Sequence, residues 1–387
     1  MGAVILLVVA LISGCLANGG QLDLRMPNVK PQHKDTYLCF TTQLNNSLYI
    51  TGFEPHAKMQ TAHHMLLYGC KTPGRQDKVW NCGEMAATAN SAYSSGPTCA
   101  SGAKIIFGWA MDAPSLVLPK DVAFKVGGDS DIDYLVLQIH YKDVSKFLPP
   151  STETDNSGLT LTTTATPLPK TAGIYLLGSS GTLPKKSVEY METACAFDED
   201  VTIHPISFRT HTHTLGRVVS GFRIRDGKWT EIGRKSPQQP QTFYNVTTPN
   251  ISVKKGDILA ARCTYENTKD HPVNVGPTAD DEMCNFYIMY YVDGDKTAER
   301  KYCFNSGPPY YSWDEFNGGD MNLEAIPETA STDPTGGKKW IRTGDNTDEQ
   351  WGERSMDERD TEDLLSYIRY LASLTPNRES QDLYDNY

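Results

Sequence analysis

No Cys-x-x-Cys pair and no basic excess mark this chain of 387 residues. Without such a pair the common zinc ribbons and knuckles are excluded. The formal charge of −11 belongs to one end: Tyr311 to Tyr387 holds 18 acidic and 7 basic residues, leaving 29 of each in the rest. A balanced body offers no electrostatic footprint for nucleic acid or an anionic membrane. Long apolar runs are also missing, so no membrane span is expected, because a helix needs about 20 such residues to cross. Helical periodicity is absent from the body, which argues against a helical bundle.

The run from Ala3 to Ile12, followed by small residues up to Cys15-Leu16-Ala17, is too short to span a bilayer and reads as a signal peptide over residues 1–17. It lacks a basic start, and Ile12-Ser13-Gly14-Cys15 also resembles a bacterial lipoprotein box, the weaker reading. Eight cysteines then remain (Cys39, Cys70, Cys82, Cys99, Cys195, Cys263, Cys284 and Cys303), an even number that suits disulfides in an oxidising compartment. Sequons begin at Asn45, Asn245 and Asn250. Together these predict a secretory-pathway protein, in a granule lumen or outside the cell.

Length alone favours two compact units. Short segments rich in Val, Ile, Thr, Tyr and Phe recur between Gly, Pro, Asn and Asp clusters, an all-β pattern. The clearest hairpin runs from Val218 to Arg225, turns at Asp226-Gly227 and returns through Ile232. A boundary near Thr166-Pro167-Leu168-Pro169 divides two tandem antiparallel β-sandwich domains, about 30–167 and 168–310. The acidic tail at 311–387 is expected to be mostly flexible. Within it, a helix at 361–374 would start at Thr361-Glu362-Asp363, and Gly336-Gly337-Lys338-Lys339 is a candidate dibasic processing site.

Chemistry concentrates in a few strands. In Ile206 to His213, period two puts Arg209, His211 and His213 on one face, where two imidazoles can chelate one metal ion beside a cation. Read alone, that pair is more often a solvated strand face than a metal site. Met283, Asn285 and Tyr287 share a face in a second strand; a thioether there is ordinarily core filler, but as a third ligand it would select Cu(I). A third strand carries Tyr134, Gln138 and His140 opposite an apolar face. His63 and His64 are adjacent, so joint ligation needs a bulge or local twist. The residues therefore sort into His63, His64 and His140 in the first half and His211, His213 and Met283 in the second. Gln138 and His204 are candidate supporting groups behind the ligands, while His33, His56 and His271 read as surface residues.

Taken in order, His-His-Met-Leu-Leu-Tyr-Gly-Cys (63–70), Leu-Gln-Ile-His-Tyr (137–141), Arg-Thr-His-Thr-His (209–213) and Asp-Glu-Met-Cys-Asn-Phe-Tyr (281–287) resemble the peptidylglycine α-hydroxylating monooxygenases, copper type II and ascorbate-dependent. The likeness extends over roughly 30–310. It implies two jelly-roll-like sandwiches facing an open interdomain cleft. Two copper ions are implied: one on His63, His64 and His140 that donates an electron, another on His211, His213 and Met283 that activates O2. Ascorbate is the implied reductant. Arg209, Asn285 and Tyr287 would hold the carboxylate of a glycine-extended peptide. The implied disulfides are Cys39–Cys82, Cys70–Cys99, Cys195–Cys303 and Cys263–Cys284; a further family bridge has no counterpart, Asn156 standing where one Cys would be. The tail looks too short for a lyase domain, so a monofunctional enzyme working with a separate lyase is expected. A dopamine β-monooxygenase type acting on phenylethylamines and a non-catalytic copper-binding sandwich are the alternatives, and Arg209 argues against the first.

Overall fold

The computed structural model of the chain describes residues 19–83, 92–276 and 280–343. The expected signal peptide and the expected helix at 361–374 lie outside them. Within the described residues the regular elements are β-strands and short 3-10 turns, and no helix is long and apolar enough to cross a membrane.

In the first half, a five-stranded sheet is ordered Val79–Asn81, Thr36–Gln43, Tyr134–Tyr141, His64–Cys70, Lys104–Ala110. It faces Gly19–Arg25, Gly158–Thr164, Leu48–His56 and Val122–Val126 across a core that includes Leu38, Phe53, Leu67, Phe107, Leu137 and Leu161. The alternation of Tyr134–Tyr141 explains this placement: Leu135, Leu137 and Ile139 enter the core, which frees the other face for His140. The opening strand lies ahead of the expected boundary near residue 30, pairing Leu22 with Leu161 and Leu24 with Leu159. Where the further bridge is lacking, hydrogen bonds tie the same region. Val29 bridges Asp155, whose carboxylate accepts from the Tyr141 hydroxyl at 2.6 Å and the Ser157 hydroxyl at 2.7 Å.

The second half packs Lys170–Ser179, Cys284–Asp293 and His204–His211 against Ser187–Ala196, Ile258–Asn267, Gly216–Arg225 and Lys228–Lys235. These sheets approach so closely that a Cβ on Gly221 or Gly233 would stand 2.1 Å from the Phe286 or Phe208 ring. Cys195–Cys303 and Cys263–Cys284 staple the two sheets, while Cys39–Cys82 and Cys70–Cys99 tie the first half. The hairpin turns at Asp226 and Gly227, both with positive φ, joining Arg225 to Lys228.

A short parallel pairing, Val122 with Lys170 and Ala123 with Thr171, merges one sheet of each half into a single ten-stranded sheet. Phe243, Tyr287 and Met289 of the second half join the apolar cluster of the first. The expectation of a flexible tail fails for residues 311–343. Trp313, Met321 and Ala330 cover Phe222, Ile224, Trp229 and Ala260, and Trp340 is buried further along. Acidic composition hid this, because a few large apolar anchors spaced along a polar segment suffice to bury the outer face of a sheet.

Candidate metal centre

His64 opens its strand and pairs across the sheet with His140, while His63 sits in the bend just before and donates its backbone N–H to the His140 carbonyl at 2.8 Å. That bend, not a bulge, brings adjacent histidines together. One ring nitrogen from each of His63, His64 and His140 lies within 4.8 Å of the other two. His63 Nδ1 is 3.3 Å from His140 Nδ1, and His64 Nδ1 is buried without a hydrogen-bond partner. An orphaned buried nitrogen aimed among two others is costly unless something else satisfies it, and a metal ion does so. His140 Nε2 donates to Asp35 Oδ1 at 3.1 Å, and Tyr37 stacks on the His140 ring at 4.1 Å. This hydrogen bond holds the Asp35 carboxyl below its usual range.

In the second cluster both imidazoles are fixed from behind. His211 Nδ1 donates to Gln241 Oε1 at 2.6 Å, and His213 Nδ1 donates to the Asp281 carbonyl at 2.8 Å, leaving each Nε2 as a lone pair. Strand pairing ends with His211 opposite Asn285, and beyond it the His213 backbone N–H donates to the carboxylate of Glu282, the neighbour of Met283. Asn285 Nδ2 approaches Met283 Sδ at 4.0 Å. Arg209 is 2% exposed, lies over the Tyr287 ring at 5.0 Å and donates through Nε to the Gln241 carbonyl at 2.9 Å. No carboxylate among the described residues pairs with it. A buried, uncompensated guanidinium is a site prepared for an anion.

Burial lowers the pKa of all five histidines, His63 to about 3 with His140 and His213 adding to the effect, so each offers a neutral nitrogen at neutral pH. The nitrogen and thioether donors suit copper. In place of the open cleft that the resemblance implies, the two clusters meet: His63 and His213 ring centroids are 6.2 Å apart, and those of His64 and His211 are 5.9 Å apart. Gly108 of the first half lies against Arg209, where a Cβ would be 3.4 Å from the guanidinium carbon.

Two expected supporting residues are placed elsewhere. Gln138 donates to Thr98 Oγ1 at 3.0 Å beside the Cys39–Cys82 disulfide, and His204, seven residues before His211, stacks on Tyr291. Among the described residues neither is hydrogen-bonded to one of the five clustered histidines; strand period alone cannot say what lies beyond a face. Sequence reading missed Asp35, Gln241 and Glu282. Gln241 touches both Arg209 and His211, and buried Glu282 accepts the backbone N–H groups of His213 and Leu215 at 2.9 and 2.7 Å. Burial raises Glu282 to about 7. The three sequons place Asn45, Asn245 and Asn250 on the surface.

Residues 22–147 match the family model "copper type II ascorbate-dependent monooxygenase, N-terminal domain", and 170–316 match its C-terminal domain. The chain belongs to this family. This member is 44% identical over 293 residues to peptidyl-glycine alpha-amidating monooxygenase B of Xenopus laevis, covering 74% of this chain and 32% of that protein. It is 41% identical over 315 residues to the Mus musculus peptidyl-glycine alpha-amidating monooxygenase, covering 80% and 29%. Similarity to the Equus caballus dopamine beta-hydroxylase is lower, 26% over 294 residues, covering 70% and 46%. The chain thus spans about a third of the length of the amidating relatives it matches.

Proposed function

We propose that this chain is a copper- and ascorbate-dependent monooxygenase that hydroxylates the α-carbon of a C-terminal glycine in peptides, the first step of C-terminal amidation. The observation that carries the reading is Arg209, a buried cation without a carboxylate partner among the described residues, one strand period from His211. A guanidinium forks onto a carboxylate bidentately, and the remote binding energy fixes the glycine α-carbon near the His211 and His213 nitrogens.

His63, His64 and His140 would hold one copper, and His211, His213 and Met283 the other. Insertion of one oxygen atom into a C–H bond, with the second reduced to water, takes two electrons and two protons, and two coppers reduced by ascorbate would supply the electrons, one each. The chain's own residues do the rest. Arg209 binds the carboxylate, and Asn285 and Tyr287 border it. Gln241 holds the Arg209 and His211 side chains at a common carboxamide.

Dopamine-type hydroxylation of an amine gives Arg209 no partner, which disfavours that reading. The four disulfides and exposed sequons support folding in the secretory pathway. Cleavage of the hydroxyglycine product to amide and glyoxylate would fall to a separate lyase. The test is a side-by-side incubation with copper, ascorbate and O2: a glycine-ended peptide should be hydroxylated, and a phenylethylamine should not. The reverse preference would move the chain to the amine branch.

A further inference from the structure

We propose that Asp35 sets the direction of electron flow, because its charged carboxylate accepts directly from an imidazole of the first histidine cluster, whereas the imidazoles of the second donate to neutral oxygens, one of them shared with the Arg209 cation. The inference rests on the reading above that both clusters hold copper.

The two clusters differ in what backs their imidazoles. His140 donates its Nε2–H to the Asp35 carboxylate at 3.1 Å, so Nδ1 keeps the lone pair that faces His63 and His64. Tyr37, parallel to the His140 ring at 4° and 4.1 Å, stops the ring from turning away. Asp35 itself is held in a left-handed turn with φ 58°, closed by the Thr36 hydroxyl on the His33 carbonyl at 2.5 Å. Behind His211 stands a carboxamide oxygen, and behind His213 a backbone carbonyl.

A carboxylate on the distal nitrogen makes an imidazole a stronger donor and favours the more highly charged metal. Neutral backing with a thioether ligand favours the lower charge. An electron delivered to the first centre is therefore the more readily given up, and the second centre the more ready to keep it. The step moves one electron from centre to centre and transfers no proton. Asp35 touches neither substrate nor metal; it is a positioning residue. Its side chain is 32% exposed, so water screens part of the effect.

The test replaces the charge and keeps the geometry. Asparagine tolerates the left-handed turn, and its amide oxygen still accepts from His140, so Asp35→Asn removes little besides the charge. In a His213→Ala background, or Met283→Leu if that background does not fold, the chain is loaded with copper at the first centre. The Cu(II) signal is then followed by electron paramagnetic resonance at fixed reductant poise. Asp35→Asn is expected to bind one copper as its parent does and to raise the Cu(I) to Cu(II) ratio about tenfold, a shift of about 59 mV for one electron. An unmoved or lowered ratio overturns the proposal, and so does loss of copper, which would make Asp35 an assembly residue. The two readings fail separately. Glycine hydroxylation by the native chain with an unmoved ratio sinks the Asp35 assignment alone; a raised ratio without hydroxylation sinks the proposed reaction alone.

Discussion

Arg209 is the residue on which substrate choice turns. Arg209→Ala is expected to lower kcat/KM for a glycine-ended peptide about ten- to a hundredfold, the worth of a charge-assisted hydrogen-bond pair, while bound copper stays at two per chain. Copper analysis alongside steady-state kinetics checks this, and loss of copper would assign Arg209 to the metal site instead. Glu282 supplies a pH signature. Its carboxyl moves from 4.5 to about 7 on folding, so between those values the folded chain binds a proton that the unfolded chain has released. Its contribution to stability is therefore complete below about 4.5 and is lost as pH rises to about 7. In urea melts of metal-free protein, the stability of the native chain relative to Glu282→Gln is expected to fall across that window and level off above it. A constant difference would contradict the assignment. The ligand candidates were legible in the sequence because alternation puts Arg209, His211 and His213 on one face and groups Met283 with Asn285. Gln241 and Asp35 were not, since both reach the histidines from loops that follow no period.

Among elements, the segment from Tyr311 to Thr343 departs furthest from its composition. It reads as a charged tail yet covers one sheet of the second half, with Trp313 donating through Nε1 to the Thr193 carbonyl at 3.1 Å and lying 4.9 Å from Trp229. Arg262 stacks on the same indole at 4.4 Å and pairs with buried Glu192, so the strap closes over an ion pair as well as over apolar surface. Trp313→Ala is expected to cost about 3–5 kcal/mol in denaturant unfolding without changing copper content. A cost near zero would show that the strap does not stay docked in solution. The body strands were readable from alternation and turn residues, as at Asp226-Gly227. Gly19–Arg25 was not, because only Leu22 and Leu24 mark its buried face.

For the whole molecule, the consequential feature is that two sandwiches bring five histidines to ring contact. No sequence pattern carries that distance; it depends on how Phe243, Tyr287 and Met289 seat against the first half. Gly108 lies in that seam, its missing side chain leaving room for Leu66 and for the Arg209 guanidinium. Gly108→Val adds bulk there, at an overpacking cost of about 1–3 kcal/mol. We expect kcat/KM to fall about ten- to a hundredfold with copper still at two, and unchanged kinetics would show that the halves need not approach this closely for turnover. The central claim is tested most directly by supplying isotopically heavy O2 to the copper-loaded chain with ascorbate and a glycine-ended peptide. The account predicts one heavy oxygen atom on the α-carbon of the terminal glycine, with the product absent when His211 is replaced by alanine. Unlabelled peptide, or label on any other carbon, would contradict it.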